Sequence, residues 1–259
     1  MTADPLPRLA RAEAAAHTRF GTWGEVAHFG PLVAVFAGPK LPVDTAWHDG
    51  SGQPSEDDLE AFETFSARHG QPATLHVLSH AAPPLLPLFR ARGYALDYVL
   101  HAYTHDLIRS CVDSPESEPS RMTHLPLPAA LDIHEAADAD AWAALSVRGF
   151  GPGTERMMQL VAHAPGTRRL VAQVDGQPAA TAALSFQDGI AALSGTSTLP
   201  EFRGQGAQTA LLAARLHQAA EAGADLASVF VTPGSGSERN VRRAGFGLAG
   251  MRLTFTRWA

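Results

Sequence analysis

The sequence is poor in cysteine: Cys111 is the single one in 259 residues. No intrachain disulfide can form, and a solitary thiol fits a reducing compartment. Long apolar runs are missing too. LVAVFAG and PPLLPLF fall far short of the roughly 20 residues that a membrane helix needs. The N-terminal MTADPLPRLARAEAAAHTRF has no continuous apolar segment of the signal-peptide type. A cytoplasmic protein without a membrane partner is the expectation. Positive charge is not in excess, since 20 Lys and Arg stand against 26 Asp and Glu for a net charge of −6. That argues against a general affinity for nucleic acid. The 12 histidines show no ligand clustering, so no metal is expected. His101 and His105 form H-x-x-x-H, but their segment YVLHAYTHDL reads as a strand, and no Glu follows His101 as a zincin helix requires.

What is present supports a folded core: 45% hydrophobic and 18% charged residues. SCVDSPESEPSRMTHLPLP, residues 110–128, is dense in Ser, Pro and Glu and reads as an extended linker. It divides the chain into an expected first domain at 1–112, a linker at 113–128 and a second domain at 129–259. In the second half ALDIHEA, TRRLVAQV, QPAATAALSF, IAALSGTSTL, DLASVFV and FGLAGMRLTFTRW read as strands. DADAWAALSVRGF, TERMMQLVAHA, QTALLAARLHQAAEAG and SERNVRRAG read as helices. Alternation of this kind predicts a mixed α/β sheet with helices on its faces.

The first half carries a faint copy. A shift of 152 positions lays Gly52 and Gln53 on Gly204 and Gln205, Val77 on Val229, Arg90 on Arg242, Gly93 on Gly245 and Thr104 on Thr256. The order of turn, helix, strand, helix and strand also repeats, which predicts two related units.

The stretch LPEFRGQGAQTALL, residues 199–212, holds the chemistry. It places Arg203, Gly204 and Gly206 where a strand turns into a helix. The first amides of a helix have no internal partner, and the helix dipole is positive there, so the turn suits an anion such as a phosphate. It is no Walker loop, because no Lys-Ser or Lys-Thr follows the glycines, and it lacks the third glycine of the dinucleotide fingerprint. In the first half, Ser51 takes the place of Arg203 and Pro54 that of Gly206. Proline has no N–H to offer, and Glu56, Asp57 and Asp58 would repel a phosphate.

Strand, R-G-Q-G-A-Q, helix resembles the coenzyme A pyrophosphate turn of the GNAT (GCN5-related) N-acetyltransferase superfamily. Arg203 and Gly206 fit the pattern, and Gln208 stands where the family prefers Gly or Ala. SERNVRRAGF, residues 237–246, resembles the family's next block. The resemblance covers about residues 130–259, and the first half looks like a degenerate GNAT-like relative without a CoA site. It implies two GNAT-like acyl-CoA N-acyltransferase domains in a tandem, packed as an intramolecular pseudo-dimer, in a monomer or a homodimer. It implies acetyl-CoA as the acyl-donor cosubstrate and a small-molecule amine as acceptor. The pyrophosphate would meet Arg203, Gly204, Gln205, Gly206, Ala207, Gln208 and Thr209. Backbone groups of Ser197, Thr198 and Leu199 would bond the pantetheine arm, with Asn240 on its other side.

Catalytic residues do not follow as directly. The family's tyrosine acid would fall near Val241, so this chain lacks it, and Ser237 or water is the substitute. Glu155 is a candidate base beside the reading of a solvated helix-start acid. Glu201, His134 and His163 are weaker still. Two other functions compete: a non-catalytic module that binds CoA or a small molecule, and a scaffold that has lost CoA binding in both halves.

Overall fold

A computed structural model describes residues 4–107 and 131–258. The expected linker 113–128 and Cys111 lie outside the described residues. Contacts divide the chain into two compact units, neither continuous in sequence. One comprises Met1–Ala102, Phe230–Pro233 and Leu248–Ala259, and the other Tyr103–Val229 and Gly234–Gly247. This differs from a division at the linker alone, because the final strand pairs with a strand of the first half.

The first unit opens with α1 (Leu6–His17) and a 3-10 turn (Thr18–Trp23), followed by β1 (Glu25–Phe29), β2 (Leu32–Phe36) and β3 (Ala46–His48). Next come α2 (Glu56–Arg68), β4 (Ala73–Leu78), α3 (Leu86–Ala91) and the first part of β5 (Ala95–Asp106). The last strand, β11 (Gly247–Arg257), supplies its closing element. β1, β2 and β3 pair antiparallel in sequence. β3 then pairs parallel with β4, and β4 antiparallel with β11, Val77 opposite Leu253. Strand side chains alternate between faces. Ala46, Leu75, Val77 and Phe255 therefore share one face, where they pack with Leu59, Phe62 and Phe65 of α2 and Phe89 of α3. Each such burial contributes roughly 1.5–3 kcal/mol. Trp47, His76, Arg252 and Thr254 alternate with them and point to the opposite face within the same unit, where Trp47, His76 and Thr254 are buried.

In the second unit β6 (Leu131–Glu135), β7 (Arg168–Val174), β8 (Gln177–Gln187) and β9 (Ile190–Thr198) pair antiparallel in turn. β10 (Leu226–Val231) adds to β9 in parallel. The helices are α4 (Ala139–Phe150), α5 (Glu155–His163), α6 (Ala207–Glu221) and α7 (Gly236–Arg243). Asp138 starts α4 by accepting from the amides of Asp140 and Ala141 at 2.9 and 3.0 Å. Trp142 of α4 is fully buried, and its indole N–H donates to the Leu170 carbonyl over 3.0 Å. The mixed α/β class follows in both units.

The internal repeat holds at the level of elements. A shift of 152 carries α2, β4, α3 and β5 onto 208–220, 225–230, 238–243 and 247–258. Those ranges fall within one or two residues of α6, β10, α7 and β11.

Candidate functional site

The site grows out of the end of β9. On one edge β9 pairs with β8 along its length, although the register shifts between Thr181 and Ala183. On its other edge it pairs with β10 only from Ile190 to Ala192. Beyond that point the two strands part. Gly195 sits in the shifted segment at φ +59°, and a Cβ there would stand 3.3 Å from the Trp142 ring and 3.2 Å from Ala183. The positive φ thus favours glycine, and the space for a side chain is tight.

The hydroxyls beneath the strand are fixed. Ser146 of α4 lies 2.6 Å from Thr181, Thr181 lies 2.9 Å from Ser197, and the Ser197 hydroxyl donates to the Ser146 carbonyl at 3.3 Å. Ser197 thereby turns its side chain into the protein, while the residue itself borders the opening. Arg215 of α6 is buried without a carboxylate and donates to the carbonyls of Leu211, Ala183 and Ser194. Burial pulls its pKa down to about 9.

After a short 3-10 turn (Pro200–Phe202) the chain reaches Gly204 at φ +79° and Gly206 at φ +83°. Gly206 is the N-cap of α6 and, having no side chain, leaves the helix start without a side-chain cap. The amides of Ala207, Gln208 and Thr209 precede the first intrahelical bond, which runs from Ala210 N–H to the Gly206 carbonyl at 3.0 Å. A Cβ at Gly204 would meet nothing within 4 Å, so the space in front of the turn is open.

A cavity of about 480 Å³ occupies that space. Ser197, Thr198, Arg203, Gly204, Gly206, Ala207, Gln208, Thr209 and Asn240 all line it. Gln205 and Leu199 do not. Gln205 is exposed and its side chain donates to the Glu201 carbonyl at 3.3 Å. Leu199 departs from expectation: its N–H donates to the Ala179 carbonyl and its own carbonyl accepts from Phe202. It is buried, and its N–H is already taken.

Five lining residues were missed in the sequence: Gly149, Phe150, Thr196, Phe202 and Arg243. Arg243 lies three residues after Asn240 on α7, a spacing that puts both on one helix face. A Cβ at Gly149 would stand 2.5 Å from the Ser197 hydroxyl, so α4 and β9 touch there.

Residues 135–246 match the model of the Acetyltransferase (GNAT) family. The match takes in β9, the glycine turn, α6, β10 and α7. Structural likeness extends further. A GCN5-related N-acetyltransferase from Kribbella flavida, 19% identical, superposes with a TM-score of 0.76 over 100% of this chain and 97% of its own. A tandem GNAT protein from the clavulanic acid biosynthesis pathway gives 0.58 at 17% identity, over 87% of this chain and 77% of its own. A putative GNAT-family acetyltransferase from Novosphingobium aromaticivorans gives 0.57 at 17% identity, over 96% of each chain. At these identities the likeness is one of fold. No curated protein sequence matches the chain.

In the first unit the place equivalent to the glycine turn is partly occupied by the protein's own hydrogen bonds. Ser55 caps α2 by accepting from the Asp58 amide at 3.0 Å, and the Asp58 carboxylate accepts from the Ser55 amide at 2.8 Å. The preceding amides are also engaged: Gly50 N–H donates to His48 Nδ1 and Ser51 N–H to Asp49. The acids read as repulsive in the sequence thus also serve as internal acceptors.

The acid and base candidates are not gathered at the cavity. Glu155 is exposed at the start of α5 and accepts from the Gly153 amide at 3.2 Å. Ser237 is half-buried on α7 and absent from the lining. Val241, at the family's tyrosine position, is buried. The tyrosine hydroxyl near this helix comes instead from Tyr103 on β5, which donates to Glu238 at 3.0 Å. Glu238 also accepts from the Gly234 amide at 2.7 Å. Burial, then contact with Glu238, raises the Tyr103 pKa. Among the described residues no group of three or more His, Cys, Asp or Glu side chains could hold a metal ion, and no helix is long and apolar enough to cross a membrane.

Proposed function

We propose that the protein is an acetyl-CoA-dependent N-acetyltransferase whose second unit binds the cosubstrate and whose acceptor is a small-molecule amine. One observation carries the reading: the uncapped start of α6, at the mouth of a cavity bordered by the diverging end of β9. The amides of Ala207, Gln208 and Thr209 would hold the pyrophosphate, with Arg203 and Arg243 adding positive charge. Free backbone groups at Thr196 to Thr198 would receive the pantetheine arm as an added strand. Leu199 drops out of that set.

The reaction is attack of the neutral amine on the thioester carbonyl. The ammonium proton leaves before attack; then a C–N bond forms, the C–S bond breaks, and the second proton lost by the nitrogen balances the one taken up by the CoA thiolate. Neither proton has an assigned carrier at the cavity, so solvent water is the default for both. That same observation favours a second reading, a module that binds CoA without turning it over.

Two measurements separate the possibilities. Calorimetric titration with CoA should give one site, weakened about tenfold or more by Arg203→Glu. Thiol release from acetyl-CoA with a panel of amines should then detect turnover. Binding without release for any amine supports the module. No CoA binding at all overturns both.

A further inference from the structure

The first unit holds a group of ionisable side chains that acetyl transfer does not use. It lies on the sheet face opposite the apolar core. The Arg252 guanidinium carbon is 5.4 Å from the Phe230 ring, 5.5 Å from Tyr98 and 5.7 Å from Trp47. One Nη donates to the Tyr98 hydroxyl over 3.2 Å. Arg19, in the turn after α1, stands 4.9 Å over the Phe20 ring. Aromatic faces attract a cation without neutralising it. Phe230 is half-buried and serves this wall.

Glu13 on α1 is the carboxylate that both guanidiniums feel. Among the described residues no hydrogen bond or ion pair joins it to either. The Nε atoms of Arg19 and Arg252 are both buried without a hydrogen-bond partner. His17 donates to the Thr45 carbonyl at 3.1 Å, and His76 Nδ1 lies 2.9 Å from the Thr254 hydroxyl. Burial pushes both imidazoles below their usual pKa, so neither adds charge at neutral pH.

The charges of two guanidiniums thus bear on one carboxylate. Burial also lifts the Glu13 pKa to about 7, against the pull of Arg252 and Arg19, so even that charge is incomplete at neutrality. A desolvated, unpaired guanidinium is unfavourable, and an incoming anion relieves it. The guanidinium fork matches the two oxygens of a carboxylate, and flat aromatic walls suit an apolar body.

We propose that Arg19 and Arg252 form a binding site in the first unit for a small organic carboxylate, whose apolar body rests against Trp47, Tyr98 and Phe230. The site is independent of the acetyltransferase reading, since each of these residues belongs to the first unit and coenzyme A plays no part. The charged and titratable groups facing it are Glu13 and His17 from α1, Arg19 from the turn, His76 from β4, Tyr98 from β5 and Arg252 from β11. Ionised Glu13 repels the ligand. Binding therefore draws a proton onto Glu13, and affinity falls as pH rises through neutrality.

The test is calorimetric titration of benzoate into the full chain without CoA, at pH 6 and pH 8, in buffers of different ionisation enthalpy. The expected result is one saturable site, about tenfold tighter at pH 6, with proton uptake at pH 8. Glu13→Gln should bind at pH 8 as tightly as the parent does at pH 6. Arg19→Met should weaken benzoate about tenfold or more and leave CoA binding unchanged. Arg252→Met is avoided because losing a buried guanidinium disturbs the sheet as well as the site; should Arg19→Met fail to fold, Glu13→Gln decides. The proposal is overturned by absence of saturable benzoate binding at pH 6, by equal binding of benzyl alcohol, by tighter binding of inorganic phosphate, or by a Glu13→Gln protein that keeps the parent's pH dependence.

Discussion

The side-chain amide of Asn240 donates to the carboxamide oxygen of Gln208 across 2.7 Å. One residue is on α7 and the other in the first turn of α6, so the bond fixes the helix start beside the cavity that both residues line. It also accounts for Gln208 where the family prefers a smaller residue. A net hydrogen bond is worth roughly 0.5–1.5 kcal/mol. Asn240→Ala should raise the CoA dissociation constant by about two- to tenfold with little change in melting temperature. An unchanged dissociation constant would refute the positioning role.

Gly206 is at φ +83°, a conformation that costs an L-residue about 1–2 kcal/mol. Gly206→Ala should lower stability by about that amount and weaken CoA. Ser55→Ala, at the equivalent helix start in the first unit, should cost about 1 kcal/mol through the lost cap and leave CoA affinity alone. Paired urea unfolding and calorimetry test both. Equal effects on CoA from the two substitutions would contradict the asymmetry between the units.

Stability should depend on pH from both sides. The Glu13 pKa is raised to about 7 in the fold, so ionisation penalises the folded state from about pH 4.5 upward and fully above 7. The His17 pKa is lowered to about 4, so its neutral form stabilises the fold above 6.5, and that contribution is lost as pH falls toward 4. Glu13→Gln should therefore raise the melting temperature at pH 8 and do progressively less toward pH 5. A gain that stays constant from pH 5 to pH 8 would contradict it.

Tyr103→Phe removes a donor from the buried Glu238 carboxylate. A hydrogen bond to a charged group is worth about 1.5–3 kcal/mol. The variant should be destabilised by that order in chemical denaturation, whereas a change within 0.3 kcal/mol would show that another group replaces the hydroxyl.

The glycine turn was legible because local chemistry dictates it: Gly204 and Gly206 both adopt positive φ, and the helix-forming run begins at once. The repeat was legible because element lengths survive where identities do not. Leu199 was misplaced because the sequence does not reveal that its N–H finds the Ala179 carbonyl, twenty residues back. Arg243 could have been found from its helical spacing to Asn240.

The pairing of β11 with β4 has a temporal consequence. The ribosome finishes β4 long before it reaches Arg252–Arg257, so β4 waits on the nascent chain with an unfilled flank until those residues emerge. A stop codon shortly before residue 248 would leave that flank permanently available to other chains.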